Sequence, residues 1–171
     1  LVIIVTLIGM FLTALNLVRE KELGTAEQMN VTPMRKYQFI LAKLLPFLII
    51  GLFELAFGLA VGRILFELPM RGSLIVLFSV AFVFLVCALG FGLFLSTISN
   101  TQQQMMFIAF FFMVTFILMS GVFTPAESMP VWAQTINLFN PLAYFMRAIR
   151  MILLKGSGFG DVAREFYSLL V

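Results

Sequence analysis

Between Arg71 and Glu127 the sequence carries no charged side chain at all. A soluble domain has about a quarter of its residues charged, whereas this chain of 171 residues is 62% hydrophobic and 11% charged. So little charge cannot wet the surface of a globule, and the bilayer becomes the natural solvent. A hydrocarbon core of ~30 Å takes about 20 apolar residues as a helix, and lipid leaves helices or closed barrels as the only ways to satisfy the backbone. No alternation of period two argues for a barrel. Four apolar runs are expected to span: residues 1–17, whose polar side chains are Thr6, Thr13 and Asn16; 44–62, interrupted by Glu54; 73–95; and 105–123. The expected fold class is all-α, a polytopic transmembrane helix bundle of four spans plus interfacial or re-entrant helices.

Composition also removes function classes. A net charge of +3 is too small to point to nucleic acid, and the basic residues gather at the ends of apolar runs as membrane-flanking residues do. Histidine is absent, which takes away the commonest general base and a common metal ligand. Cys87 stands alone inside an apolar run, so no disulfide framework is available. No G-x-x-x-x-G-K-[ST] occurs, and neither a metal-ligand cluster nor a nucleophile–base pair stands out. The catalytic and metal assignments are therefore none.

The connections differ in kind. Residues 63–73, "RILFELPMRGS", form a short turn with Pro69 and Gly72, and 96–104, "STISNTQQQ", is polar and uncharged. Residues 124–165 make a long connection, within which 131–146 is too short and too polar to span. Trp132, Ile136 and Phe139 fall at i, i+4 and i+7 there, which fits an interfacial or partly inserted segment and fits an ordinary amphipathic loop helix equally. Four spans place 18–43 and 96–104 on one side. Counting Lys and Arg gives five residues on that side (Arg19, Lys21, Arg35, Lys36, Lys43) against six on the other. Local density favours the first group as cytoplasmic.

The charged module at 18–43 has helix-start chemistry. Thr25 can cap the N–H of Gln28 while the Gln28 side chain reaches back, a capping box, after the break at Gly24. Glu27 sits in the first turn, where the helix dipole favours an anion. Thr32 and Pro33 then start a second helix. A helix of about residues 26–31, ending at Val31, is too short to stand alone in water. Two readings fit: a loop helix resting on headgroups, or a rigid knob presented to a partner.

Inside the membrane, Glu54 is a lone acid, costing ~2.5–3.5 kcal/mol on insertion scales unless it meets a partner or a wet cavity. It reads either as a contact in a substrate path or as a neutral or hydrogen-bonded stitch between helices. Gly58 and Gly62 form a G-x-x-x-G pair suited to close packing, and Gly90 and Gly92 are expected to serve the same end. Arg147 and Arg150, one turn apart, read as interfacial anchors or as partners of re-entrant backbone. Gln102 to Gln104 read as a solvated helix start.

The quoted pieces, in order and spacing, resemble the permeases of type-2 ABC transporters (the ABC-2 exporters), of bacterial multidrug type. "LVREKELGTAEQMNVTPMRKYQFILAKLLPF" (17–47) resembles their cytoplasmic coupling loop, "LPMRGS" (68–73) their short outer turn, "SGVFTPAESMP" (120–130) the signature after the fifth span, and "NPLAYFMRAIRMILLKG" (140–156) the approach to the last span. The resemblance implies one permease domain over 1–171, holding the second to fifth of six spans, with 166–171 as the start of the sixth. It implies that Gly24, Thr25, Glu27, Gln28, Val31, Thr32 and Pro33 couple to an ABC ATP-binding subunit, and that Gly121, Phe123, Pro125, Met129, Pro130, Asn140 and Pro141 form an external re-entrant motif across 124–165. Glu54, Gly58 and Gly62 would belong to the substrate path or to helix packing.

Implied partners are the ATP-binding subunit, a second permease copy and membrane lipid, with no nucleic acid; ATP and Mg would sit on the partner, and this chain would hold no cofactor. The implied place is the bacterial inner membrane, and the implied work is outward, ATP-driven export of an amphipathic or apolar substrate. The competing reading is an ATP-independent secondary transporter or a structural membrane protein.

Overall fold

The computed structural model describes residues 1–24, 36–66, 72–121, 130–156 and Leu169. Four long helices dominate: α1 (Val2–Glu22), α2 (Lys36–Phe66), α3 (Leu74–Ile98) and α4 (Gln102–Met119). Each is long and apolar enough to cross a membrane. Two short helices follow, α5 (Val131–Asn137) and α6 (Pro141–Arg150), and α6 runs on into a π-helical turn, Met151–Lys155. Each of the four apolar runs coincides in the main with one long helix, the last running past Met119 toward residues outside the described ones, and no strand occurs among the described residues. This is the all-α polytopic bundle that composition required.

Helix α2 has 31 residues, about 46 Å at the helical rise, which exceeds the ~30 Å of a bilayer core. Such a helix either extends beyond the hydrocarbon or crosses it at a tilt. Pro46 lies inside the helix; its missing N–H leaves the carbonyl four residues earlier without its usual donor.

Helices α1 and α3 are the interior pair. In their apolar windows 44% and 39% of residues are buried, against 17% in α2 and 11% in α4. Lipid tails are as apolar as leucine, so close packing rather than water exclusion must hold such helices together. The α1–α3 seam is built for close approach. A Cβ placed on Gly9 would lie 3.0 Å from the Ala88 Cβ, and one on Gly92 only 2.6 Å from the carbonyl oxygen of Met10. Those α1 residues belong to a π-helical stretch, Leu7–Leu12, whose wider turn pushes the Met10 carbonyl region against α3. Gly90 departs from expectation. It is exposed, and among the described residues a Cβ there would meet nothing within 4 Å, because it lies on the opposite side of α3 from Gly92.

Two apolar clusters divide the bundle. One joins Met10, Ala14 and Val18 of α1 to Leu95 of α3 and to Met105 and Ala109 of α4. The other gathers Val5, Leu55, Leu59, Phe84, Leu85, Leu142, Phe145 and Leu169. Within it Phe84 and Phe145 stack with ring centroids 4.1 Å apart and planes 6° from parallel. Phe84 lies ten residues beyond Leu74, about 15 Å along α3, while a Cβ on Gly72 would meet the Ile152 carbonyl at 2.3 Å. Helix α6 thus starts deep beside α3 and climbs back toward its first residues, the path of a segment that enters the bundle and returns.

Gly92→Ala is expected to cost about 1–3 kcal/mol, as overpacking does, whereas Gly90→Ala should cost nothing. The midpoint of SDS-induced unfolding of each variant, purified in mild detergent, distinguishes the two positions.

Candidate functional site at the module end of the bundle

Helix α1 ends, α2 begins, α3 ends and α4 begins at one end of the bundle, and the charged module hangs from that end. Of its expected coupling residues only Gly24 is described; Thr25, Glu27, Gln28, Val31, Thr32 and Pro33 lie outside the described residues. Gly24 has φ +71°, a left-handed conformation that costs glycine little. Its N–H donates to the Lys21 carbonyl at 3.2 Å, closing the last turn of α1.

The three residues that precede Leu23 each reach a different helix. Glu20 pairs with Lys43 of α2, both partly buried, and so ties together the two helices that flank the module. The Lys43 ammonium also lies 5.6 Å from the centroid of the Phe39 ring. Lys21 Nζ donates to the carbonyls of Thr97 (3.4 Å) and Ser99 (3.0 Å) at the end of α3. Glu22 Oε2 accepts from the Gln102 backbone N–H (3.3 Å) and from Gln102 Nε2 (2.7 Å) at the start of α4. The signs match the helix dipoles, a cation at a carbonyl end and an anion at an amide end. The turn between α3 and α4 completes the cluster. Thr101 accepts from the Gln104 N–H at 3.2 Å, and the Gln104 Oε1 accepts from the Asn100 N–H at 3.2 Å. Ser99, fully buried, donates from its hydroxyl to the Leu95 carbonyl at 3.1 Å.

None of these roles for Glu20, Lys21, Glu22 or Gln102 was legible from the residues alone, where Lys21 read as a membrane-flanking charge and Gln102 as part of a solvated helix start. One signal was available: Thr101-x-x-Gln104 has the spacing of a capping box. Exposed ion pairs and dipole contacts are each worth about 0.2–1 kcal/mol. The cluster is therefore too weak to carry the fold and is suited to setting the register of helix ends.

At the opposite end, the motif residues Gly121, Pro130, Asn140 and Pro141 are described, while Phe123, Pro125 and Met129 lie outside the described residues. Asn140 is 1% exposed and works in two directions. Its Oδ1 caps α6 by accepting from the Leu142 N–H at 3.1 Å, with Pro141 at the first helical position. Its Nδ2 donates to the Phe116 carbonyl of α4 at 2.9 Å and to Asn137 Oδ1 at 3.1 Å. Arg150 Nη2 donates to the Gly121 carbonyl at 2.9 Å, where Gly121 holds φ +82°, and so satisfies backbone just past the end of α4. Arg147 covers the Tyr144 ring at 4.7 Å. Ile136 and Phe139 are exposed, Phe139 to 85%.

Glu54 lies eleven residues past Lys43, about 16 Å along α2 and near the middle of that helix. Both of its carboxylate oxygens are buried, and neither has a hydrogen-bond partner among the described residues. Gly58, one turn on, faces the Leu1 side chain, whose Cδ1 a Cβ would approach to 2.0 Å. That is the tip of a flexible side chain, which can swing away. Gly62 is buried.

Two stability tests follow from this geometry. Asn140→Ala should cost about 0.5–2 kcal/mol as a lost helix cap. Asn140→Asp should cost more, because it sets a carboxylate against the Phe116 carbonyl while keeping the cap; SDS unfolding midpoints rank the two. Glu54→Leu should hold or raise the midpoint, since a buried unsatisfied polar group costs about 1–3 kcal/mol. A fall in its midpoint would place a partner outside the described residues.

Comparison with known proteins agrees with the architecture. Residues 1–154 match the family model described as ABC-2 type transporter. The probable multidrug ABC transporter permease YbhR of Escherichia coli (strain K12) is 36% identical over 172 residues, covering 100% of this chain and 47% of that protein. The probable multidrug ABC transporter permease YbhS of the same strain is 33% identical over 158 residues (91% and 41%), and its inner membrane transport permease YhhJ is 29% identical over 168 residues (97% and 45%). The chain thus spans less than half the length of these relatives, and no solved structure matches it significantly. It is a multi-pass membrane protein, and with its family model matched over nearly its whole length it belongs to the ABC-2 type transporter family.

Proposed function

We propose that the chain is the membrane-spanning part of an ABC permease in a bacterial inner membrane, exporting an amphipathic or apolar substrate at the expense of ATP hydrolysed by a partner subunit. The similarity to the multidrug ABC transporter permease YbhR along the whole chain carries this reading. The partner would hold ATP and Mg, and a second permease copy, identical or related, would face this one across the substrate path. Residues 24–33 would form the coupling element, docked on the ATP-binding subunit. Nucleotide binding would draw the two ATP-binding subunits together, press on that element and tilt the spans attached to it. A short helix needs a docking surface to be stable, and the ATP-binding subunit would supply it. The module end then faces the cytoplasm, which agrees with the density of basic residues at 19–43. The Asn140 end faces outward.

The test is purification of the full-length protein in mild detergent with whatever accompanies it. A P-loop ATPase should co-purify in fixed ratio, and Thr25→Pro combined with Glu27→Lys should release it and abolish stimulated ATP hydrolysis without reducing membrane insertion. Retention of a stoichiometric, stimulated ATPase by that inserted variant would refute the assignment of residues 24–33.

A further inference from the structure

We infer that Lys21 and Glu22 are positioning residues that transmit movement of the coupling module to the turn between α3 and α4, tilting α4 about its opposite end. The inference rests on the proposed function, since it takes the module as the part that moves. Connectivity places both residues in the last turn of α1, immediately before Leu23 and the left-handed Gly24. Among the described residues, a Cβ on Gly24 would meet nothing within 4 Å, so none of them shields the turn from a displacement arriving through the chain.

What the two side chains grip gives the displacement a direction. Lys21 holds the carbonyl end of α3 and Glu22 the amide end of α4, on either side of one tight turn. Adjacent charges of opposite sign thus meet adjacent helix ends of opposite dipole, an arrangement that specifies register. The two gripped helices are not equally free. Helix α3 is interior and locked to α1 at Gly92. In α4 only 11% of the apolar window is buried, with Met105 and Ala109 its buried residues. Helix α4 is therefore held less firmly within the bundle than α3. At its far end α4 is tethered through the Phe116 carbonyl to Asn140, and Gly121 just beyond it is tethered to Arg150. A helix held by hydrogen bonds at one end and gripped by Glu22 at the other is a lever, with its pivot at the Asn140 end.

The test uses the full-length permease with its ATP-binding partner in nanodiscs of Escherichia coli polar lipid. A thiol-free background receives Gln103→Cys, at an exposed position in the first turn of α4. The labelling rate by a water-soluble maleimide is read with and without a non-hydrolysable ATP analogue. With Lys21 and Glu22 intact, nucleotide should change that rate. The near-isosteric Lys21→Met with Glu22→Gln should lose the nucleotide-dependent change while retaining the ATPase in full ratio, a result that a purely structural role would not produce. Should that pair fail to insert, Glu22→Gln alone replaces it with the same expectation, and Lys21→Arg, which keeps a cation on the α3 carbonyls, should preserve the change. An undiminished nucleotide response in either uncharged variant, with the ATPase bound, overturns the inference and leaves the proposed function standing. Absence of any bound ATPase from the unaltered protein overturns both.

Discussion

The contact on which the bundle depends is the one at Gly92, where α3 meets the Met10 carbonyl of α1 with no room for a side chain. In water, burial of so many leucines and phenylalanines would drive the helices together. In lipid that drive is absent, and association rests on how closely backbones and small side chains can approach. The π-helical turn Leu7–Leu12 and the small residues Gly9, Ala88 and Gly92 supply that approach. Once α1 and α3 are set, the two apolar clusters form above and below the seam, and α2 and α4 take outer positions with most of their surface toward lipid or toward another protein.

The two ends of the bundle are built by different means. At the module end, charged side chains complement helix dipoles and leave their partners half in water, so the contacts are weak, numerous and reversible. At the other end a buried asparagine and an arginine satisfy backbone groups of helix ends. At the buried Asn140, the cost of leaving a carbonyl unpaired in apolar surroundings makes the contacts persistent. The bundle is thus firmer at one end than at the other. Glu54 stands between the two regimes, near the middle of α2 and without a partner among the described residues.

Much of this was open to reading from the residues. The apolar runs and the break at Gly24 arise from neighbours in the chain, so local chemistry reveals them. The roles of particular small and charged residues were less accessible. Gly90 and Gly92 look alike in sequence, yet one faces open space and the other a carbonyl 2.6 Å from its imagined Cβ. Lys21 and Glu22 look like ordinary flanking charges, yet their partners Ser99 and Gln102 lie about eighty positions further on.

The sequence by itself determined the solvent, the class and the number of long helices. Charge-free runs of spanning length admit few other solutions in a bilayer. Its motifs also determined the family. Only the tertiary structure decided which faces pack and which face lipid, because lipid and core are equally apolar and no hydrophobic periodicity separates them. It also decided that the last turn of α1 grips α3 and α4, a matter of helix ends meeting across the bundle that no local pattern encodes.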